Sequence, residues 1–481
     1  MRKRLLAVFG MIVVFRFLAH IPIPIAQGAT LQQILETLFK TSESSQFLGL
    51  FNVLSGGALA NFSIMLVGLG PYINASIIMQ LLTKAIPKLE ALNNEGEFGR
   101  KKIQQYTRIL TFPLAIIQSI GSIYLVKQTA SSLGGLGDIT ASASFGQWIL
   151  MVASLVGGSM LLMWLGELIT EQGVGNGISL VITVGIVSQL PSYVGNLVTS
   201  AFSKQDQLVL FGKQLPINKA GAIYALLVIV ATTLITIFVV KLNEASRNVT
   251  INYAKRVQGN KLYGGVTSIL PIKLITAGVI PIIFALAFLS IPSFVGQILS
   301  GSANVKLQSI GTQLVTWFQP SSAQSFAAGG WQPYIYPIVY FALVFIFTFF
   351  YTSITFNSKE IAENLQKQGG FIAGIRSGLQ TEKFLSKTVN RLTLFGALSL
   401  GLLAVLPILA QIFVKTDIAL QGTSILILVA VSIETLRQIE SRALMVTYDQ
   451  YAEPDYFSKP LITAKPKAQK RLNLNKIRKV K

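Results

Sequence analysis

Few residues in this chain can make or break bonds, and their scarcity narrows its chemistry. The 481 residues include no cysteine and one histidine, His20. Thiolate nucleophiles, thiolate metal sites and disulfides are therefore excluded. One histidine beside an apolar run makes no metal centre, which takes three or four convergent ligands. No catalytic residue, metal or cofactor is expected. No aspartate lies within any long apolar segment. Lys273, Glu167 and Glu434 stand near the ends of such segments, where long side chains snorkel to water, and only Arg16 lies deeper. Proton-coupled transport and intramembrane acid–base catalysis need ionisable groups at depth, so these positions favour neither, and the chain is read as a non-enzyme. A sodium site built from backbone carbonyls stays compatible, which keeps a broken-helix secondary transporter as the alternative.

The backbone supplies the unusual chemistry instead. Gly68-Leu-Gly-Pro-Tyr-Ile73 interrupts an apolar stretch. Glycine and proline free backbone groups that lipid cannot solvate, so protein or a wet cavity must take them. One reading is a proline kink in a packed bundle; the other is a discontinuous helix lining a path. The segment 51–62 just before it is too short to span and carries Gly56-Gly57. Together they favour the path, with the short segment folded back from outside as a stopper.

The elements that position these residues follow from hydropathy. The chain is 52% hydrophobic and 12% charged, against roughly a quarter charged in a soluble domain. Ten segments approach the ~20 apolar residues a membrane crossing needs: 5–19, 66–83, 109–126, 148–169, 177–194, 220–240, 269–288, 334–356, 392–414 and 418–436. Met1-Arg-Lys-Arg before the first run mimics a signal peptide, but Ile21-Pro-Ile-Pro24 replaces a small-residue cleavage site, so the run is read as a retained helix. With the N-terminus inside, 32 Lys/Arg fall in cytoplasmic segments and 7 in external ones. That split puts both termini in the cytoplasm.

The external stretch 22–63, which contains the segment 51–62, is long, and so are three further loops. The external loop 290–332 is polar and rich in Gly and Ser, and no task is assigned to it. In the inside loop 241–268, the alternation in Val249-Thr-Ile-Asn-Tyr-Ala-Lys-Arg256 predicts a β-hairpin. The inside loop 357–391 is basic, with Gly369-Gly370 and Gly374-Ile-Arg-Ser-Gly378. The two inside loops read as a docking platform.

Eight stretches resemble one family in order along the chain. They are Ile21-Pro-Ile-Pro24, the run from Gly56-Gly-Ala-Leu through Gly70-Pro-Tyr-Ile-Asn-Ala-Ser to Gln80-Leu-Leu-Thr83, Glu95-Gly-Glu-Phe-Gly-Arg-Lys-Lys-Ile-Gln-Gln-Tyr-Thr-Arg108, and Glu171-Gln-Gly-Val-Gly-Asn-Gly-Ile-Ser179. Val249–Arg256, Ala277-Gly-Val-Ile-Pro-Ile-Ile-Phe284, Gly374–Gly378 and Gly422-Thr-Ser424 complete them. The sequence resembles the SecY family, the pore subunits of the Sec protein translocon, which share a fold with the Sec61α proteins. The resemblance implies an all-α polytopic fold: ten transmembrane helices in two inverted halves, spans 1–5 and 6–10, around a central hourglass pore with a re-entrant plug helix. It implies an N-terminal half over 1–194, an external hinge loop over 195–219, a C-terminal half over 220–436 with docking loops 241–268 and 357–391, and a basic tail over 437–481.

It further implies a pore ring of Leu69, Ile73, Ile182, Ile186, Ile283 and Ile427. Branched apolar side chains resist wetting and bar ions at rest; for any one of them, ordinary helix packing is the plainer reading. The plug would hold Phe51, Ser55, Gly56, Gly57 and Phe62. A lateral gate would lie between Ser76 and Gln80 of span two and Thr276 and Pro281 of span seven, with Gln118 of span three beside it. Lys255, Arg256 and Arg376 would dock the SecA ATPase and the ribosome, although Lys255 and Arg256 also fit a solvated basic loop. The partners implied are SecE and SecG in a heterotrimer, signal-sequence-bearing preproteins, SecDF, YidC and membrane lipids, with no direct nucleic-acid function. The implied location is a bacterial plasma membrane, with a thylakoid membrane second. Two departures stand out. Four residues precede span one where the family often has an amphipathic segment that touches SecE, and Ile275 is apolar where relatives are often polar.

Overall fold

The computed structural model describes residues 2–23, 63–132, 144–202, 207–210, 213–253, 256–258, 261–263, 265, 267–300, 304–321, 325–326, 329–414 and 419–452. The expected plug at 51–62 and Lys255 lie outside the described residues. Residues Met1–Gln438 form one compact unit, which holds all the site residues, and Ile439–Lys481 form a second.

Among the described residues, ten helices fall on the ten expected spans. They are α1 (Arg2–Leu18), α2 (Gly70–Ala85), α4 (Glu97–Ser132), α5 (Phe145–Gln172), α6 (Gly177–Ala201), α7 (Lys219–Glu244), α8 (Ile280–Ser300), α10 (Ile335–Thr355), α12 (Leu379–Val414) and α13 (Ala419–Ala452). Three shorter helices accompany them: α3 (Pro87–Asn94), α9 (Val305–Phe318) and α11 (Ser358–Lys367). Five of the helices are long and apolar enough to cross a membrane on length and composition alone. The outward faces are apolar: Leu226, Leu234 and Ile338 are each more than 60% exposed, a surface that suits lipid and not water.

Two stretches differ from the hydropathy reading. Span seven does not run over 269–288. Residues Thr267–Lys273 form strand β6, 276–279 are turns, and the helix occupies Ile280–Ser300. The apolar β6 residues enter a ladder instead of the membrane helix, and Gly278 at φ 61° ends that segment before Pro281 opens α8. The external loop consequently begins later than 290, and much of it is α9. Helices α8 and α9 meet at Gly296 and Gly311, where side chains would collide with the facing backbone. Likewise α6 continues to Ala201, and the rest of the connection between the halves includes a hairpin of β1 (Gln207–Leu210) and β2 (Lys213–Asn218).

The short link from α5 to α6 shows why Glu171-Gln-Gly-Val-Gly-Asn-Gly has its composition. Gly173 and Gly175 take φ of 70° and 84°, a region open mainly to glycine. Asn176 Oδ1 then accepts the amides of Ile178 and Ser179 at 3.1 and 3.4 Å and starts α6.

The expected hairpin is present, with β3 (Ser246–Tyr253) antiparallel to β6 from Ser246↔Lys273 to Asn252↔Thr267. Its tip is the ladder of β4 (Arg256–Gln258) with β5 (Lys261–Tyr263). The other basic loop supplies β7 (Gly370–Ile372), which pairs with the far edge of β3, giving the sheet order β6-β3-β7. Val249, Ile272, Ile372, Leu385 and Val389 form one buried core beneath it. The two loops are therefore one mechanical body. Leu385→Ala, at a side chain with no exposed surface, is expected to cost about 2–5 kcal/mol. Limited proteolysis should then cut both loops faster and in parallel; faster cutting of one loop alone would contradict the shared core.

Candidate functional site: a broken span, its post and a gate cleft

The break in span two stands at the start of its helix. Residues 64–69 are turns, Gly68 sits at φ 63°, and α2 begins at Gly70 with Pro71 in its first turn. Proline suits that position because its missing N–H has no helical partner there. Met65, Leu66, Val67 and Leu69 are nearly inaccessible, so the backbone polar groups of the turn need protein partners. Ser159 Oγ of α5 donates to the Gly68 carbonyl at 3.0 Å. The Ile64 amide donates to the Ile21 carbonyl at 3.0 Å, and Pro22 bridges to Ser63. Gly158 lets α5 come this close, since any side chain there would strike the Ile64 carbonyl.

Helix α5 also holds span three. Glu167 does not snorkel: it is 6% exposed. Arg108 Nη2 of α4 lies 2.7 Å from its Oε2, Arg108 Nε donates to its Oε1 at 3.0 Å, and Gln104 Nε2 donates at 3.3 Å. The partner arises from chain separation: Arg108 lies 59 residues before Glu167, and no local pattern links them.

All six expected ring residues are buried: Leu69 1%, Ile73 3%, Ile182 1%, Ile186 2%, Ile283 5% and Ile427 2% exposed. Leu69 and Ile73 flank the first turn of α2, with the Ile73 amide donating to the Leu69 carbonyl at 3.0 Å. Ile182 and Ile186 share one face of α6 by spacing. Spans two and seven also share a local signature that hydropathy does not reveal. Gly68-x-x-Pro71-x-Ile73 recurs as Gly278-x-x-Pro281-x-Ile283, and the two leading glycines have φ of 63° and 61°. Each places one of the expected ring residues in the first helical turn after a turn that contains a left-handed glycine. A search for Gly-x-x-Pro-x-Ile would have found the pair.

Of the expected gate residues, Ser76 and Gln80 lie on α2, where Gln80 Nε2 donates to Ser76 Oγ at 3.1 Å. Gln118 lies on α4, and its Oε1 is 3.1 Å from where a Cβ on Gly70 would stand. Pro281 is buried in the first turn of α8, whereas Thr276 sits ahead of that helix in a turn, donating to the Lys273 carbonyl at 3.1 Å. Ile275 is buried beside it. A cleft of about 110 Å³ separates α2 and α4 from α8; Gly70, Asn74, Ile117, Gln118, Ile291 and Phe294 are among its walls. Among the described residues, buried Asn74 Oδ1 in its wall has no hydrogen-bond partner.

Arg376 is exposed on a turn between Gly374 (φ 79°) and Gly378 (φ 96°), and its carbonyl accepts the Thr381 hydroxyl at 3.0 Å. Arg256 begins β4. Among the described residues no cluster of His, Cys, Asp or Glu could hold a metal ion.

A bundle of spanning helices with a broken span, buried apolar residues at two such breaks and a cleft between helices is an all-α polytopic membrane protein of channel type. Its fold is similar to that of a solved protein-conducting channel, with TM-score 0.63 and 18% identity over 90% of this chain and 91% of that one. It is also similar to Sec61 in the canine ribosome–channel complex from the endoplasmic reticulum, with TM-score 0.60 and 18% identity over 90% and 91%. The sequence profile of the SecY family matches residues 63–436. Among curated proteins, the protein translocase subunit SecY of Streptomyces coelicolor is 39% identical over 94% of this chain and 97% of its own length. That of Escherichia coli is 37% identical over 93% of each. The chain belongs to the SecY family.

The post predicts its own failure. Gly158→Val is expected to drive α5 off the 64–69 turn and lower stability by about 1–3 kcal/mol, read as a lower unfolding temperature of the purified protein. An unchanged transition would contradict the close approach.

Proposed function

We propose that this chain is the central pore-forming subunit of a Sec protein-conducting channel. It passes unfolded preproteins across the membrane and releases transmembrane segments sideways into lipid. The single observation that carries this reading is family membership over nearly the whole chain, with relatives named protein translocase subunit SecY. The secondary-transporter alternative is not favoured by that membership.

In this reading the two halves, 1–194 and 220–436, close around Leu69, Ile73, Ile182, Ile186, Ile283 and Ile427. These side chains offer no specific hydrogen bonds, so they can deform around any polypeptide sequence, and they stay dry when it is absent. Their burial and the matched starts of spans two and seven support the assignment. The segment 51–62 stoppers the outer funnel. The cleft bordered by Gln118 and Gly70 is the seam of the lateral gate, with Ser76, Gln80 and Pro281 on the flanking helices and Thr276 in the turn that precedes span seven.

The exposed Arg376 turn and the Lys255–Arg256 hairpin form one cytoplasmic platform for a ribosome or the SecA ATPase. A structural neighbour solved in a ribosome complex supports the former. SecE and SecG complete the heterotrimer, and SecDF and YidC are further partners. The chain itself hydrolyses nothing; a motor, a translating ribosome or the membrane potential drives transport. It resides in a bacterial plasma membrane with both termini in the cytoplasm, in keeping with the 32-to-7 distribution of Lys and Arg.

Ile73→Asn or Ile283→Asn should raise ion leak through the resting, reconstituted channel about tenfold, equivalent to ~1.4 kcal/mol off the closed-state barrier. Planar-bilayer conductance measures it. Leak equal to that of the native chain would remove these residues from the ring.

A further inference from the structure

The two sides of span three are held by different physics. Towards α5, Gln104 and Arg108 grip the buried Glu167 carboxylate. Towards α8, the contacts are mostly apolar. The Phe294 ring fills the space over Gly121, where no side chain would fit, and Leu114 and Ile117 share the cleft with Ile291 and Val295. In lipid an apolar helix–helix seam has no hydrophobic driving force, because acyl chains replace the protein partner at little cost. A buried carboxylate has no such substitute for its partner, and losing Arg108 leaves the Glu167 charge without its counter-ion. The α4–α8 seam is thus the side that parts, and α4–α5 the side that does not.

Glu167 lies on the same helix as Gly158 and Ser159, which hold the entrance turn of span two. A single helix therefore anchors both spans on one side of the cleft. The anchored register places Gln118 Oε1 against Gly70. We propose that Arg108 and Glu167 are a positioning pair that fixes spans two and three as one rigid jamb of the lateral gate and so sets how strong a signal must be to open it. This rests on the channel reading above.

Glu167→Gln tests it. The amide keeps the shape, and Arg108, whose side chain is 43% exposed, can turn to water, so the fold tolerates the change. Glu167→Asp keeps the charge and serves as the conservative comparison. The chain has no cysteine, so Ile117→Cys with Ile291→Cys reports separation across the cleft without background. The full chain with its partner subunits is reconstituted with a motor and given two precursors, one with an intact and one with a defective signal sequence.

Glu167→Gln should raise passage of the defective precursor roughly five- to thirtyfold, the population change that loss of one interaction brings. It should also lower crosslinking between the two introduced thiols, while Glu167→Asp stays near the native values. Native behaviour of Glu167→Gln in both assays would overturn the proposal, as would a parallel loss of both precursors with crosslinking unchanged. If Glu167→Gln does not accumulate, Gln104→Leu removes only the 3.3 Å hydrogen bond and should move both readouts the same way by a smaller factor; no movement overturns the proposal. Failure of the native chain to move the intact precursor would instead count against the channel reading, and crosslinking would still read the jamb.

Discussion

A backbone carbonyl that no helix can use is the constraint on which this structure turns. At Gly68 the chain leaves helical geometry inside an apolar segment, and lipid offers that carbonyl no partner. The Ser159 hydroxyl takes it at 3.0 Å. That bond requires α5 to lie against the turn, which requires Gly158 to have no side chain. Helix α5 then carries Glu167 to a buried position where Arg108 and Gln104 of α4 pair with it. A local break in one span thereby dictates the packing of three.

The break also gives the path its character. A continuous helix would present a smooth packed wall. A helix that starts partway along the span lets the preceding turn and the first helical turn project apolar side chains together, here Leu69 and Ile73. Span seven repeats the device at Gly278 and Pro281, with Ile283 in the corresponding place. Glu167 is paired with Arg108, and Arg376 stands exposed on a turn between two glycines. In the proposed channel, a waist of such apolar side chains would offer no group that coordinates an ion or recognises a sequence, which suits a passage for many different chains.

Much of this is legible in the sequence because hydropathy, charge bias and glycine placement are local. The ten spans, the hairpin at Val249 and the interruption at Gly68 all follow from neighbours a few residues apart. The displacement of span seven has a specific cause. Ile269, Leu270 and Ile272 are apolar, but Leu270 and Ile272 pack on the core beneath the sheet, in a strand paired with β3, and hydropathy cannot separate the core of such a sheet from a lipid face. Glu167 departs from expectation for a related reason: its position near a helix end suggests water, and its partners come from a distant segment. Strand β7 has no sequence signal because three residues, Gly370–Ile372, carry no pattern until β3 offers an edge.

In the proposed channel a polypeptide passes among Ile73, Ile186 and Ile427. Site-specific photocrosslinking from those positions to a secretory chain stalled in transit tests it most directly, with lipid-facing Leu226 and Leu234, 65% and 62% exposed, as references. Adducts are expected at all three ring positions and none at the two references. Adducts at Leu226 and Leu234 as abundant as those at the ring, or none at the ring, would contradict it.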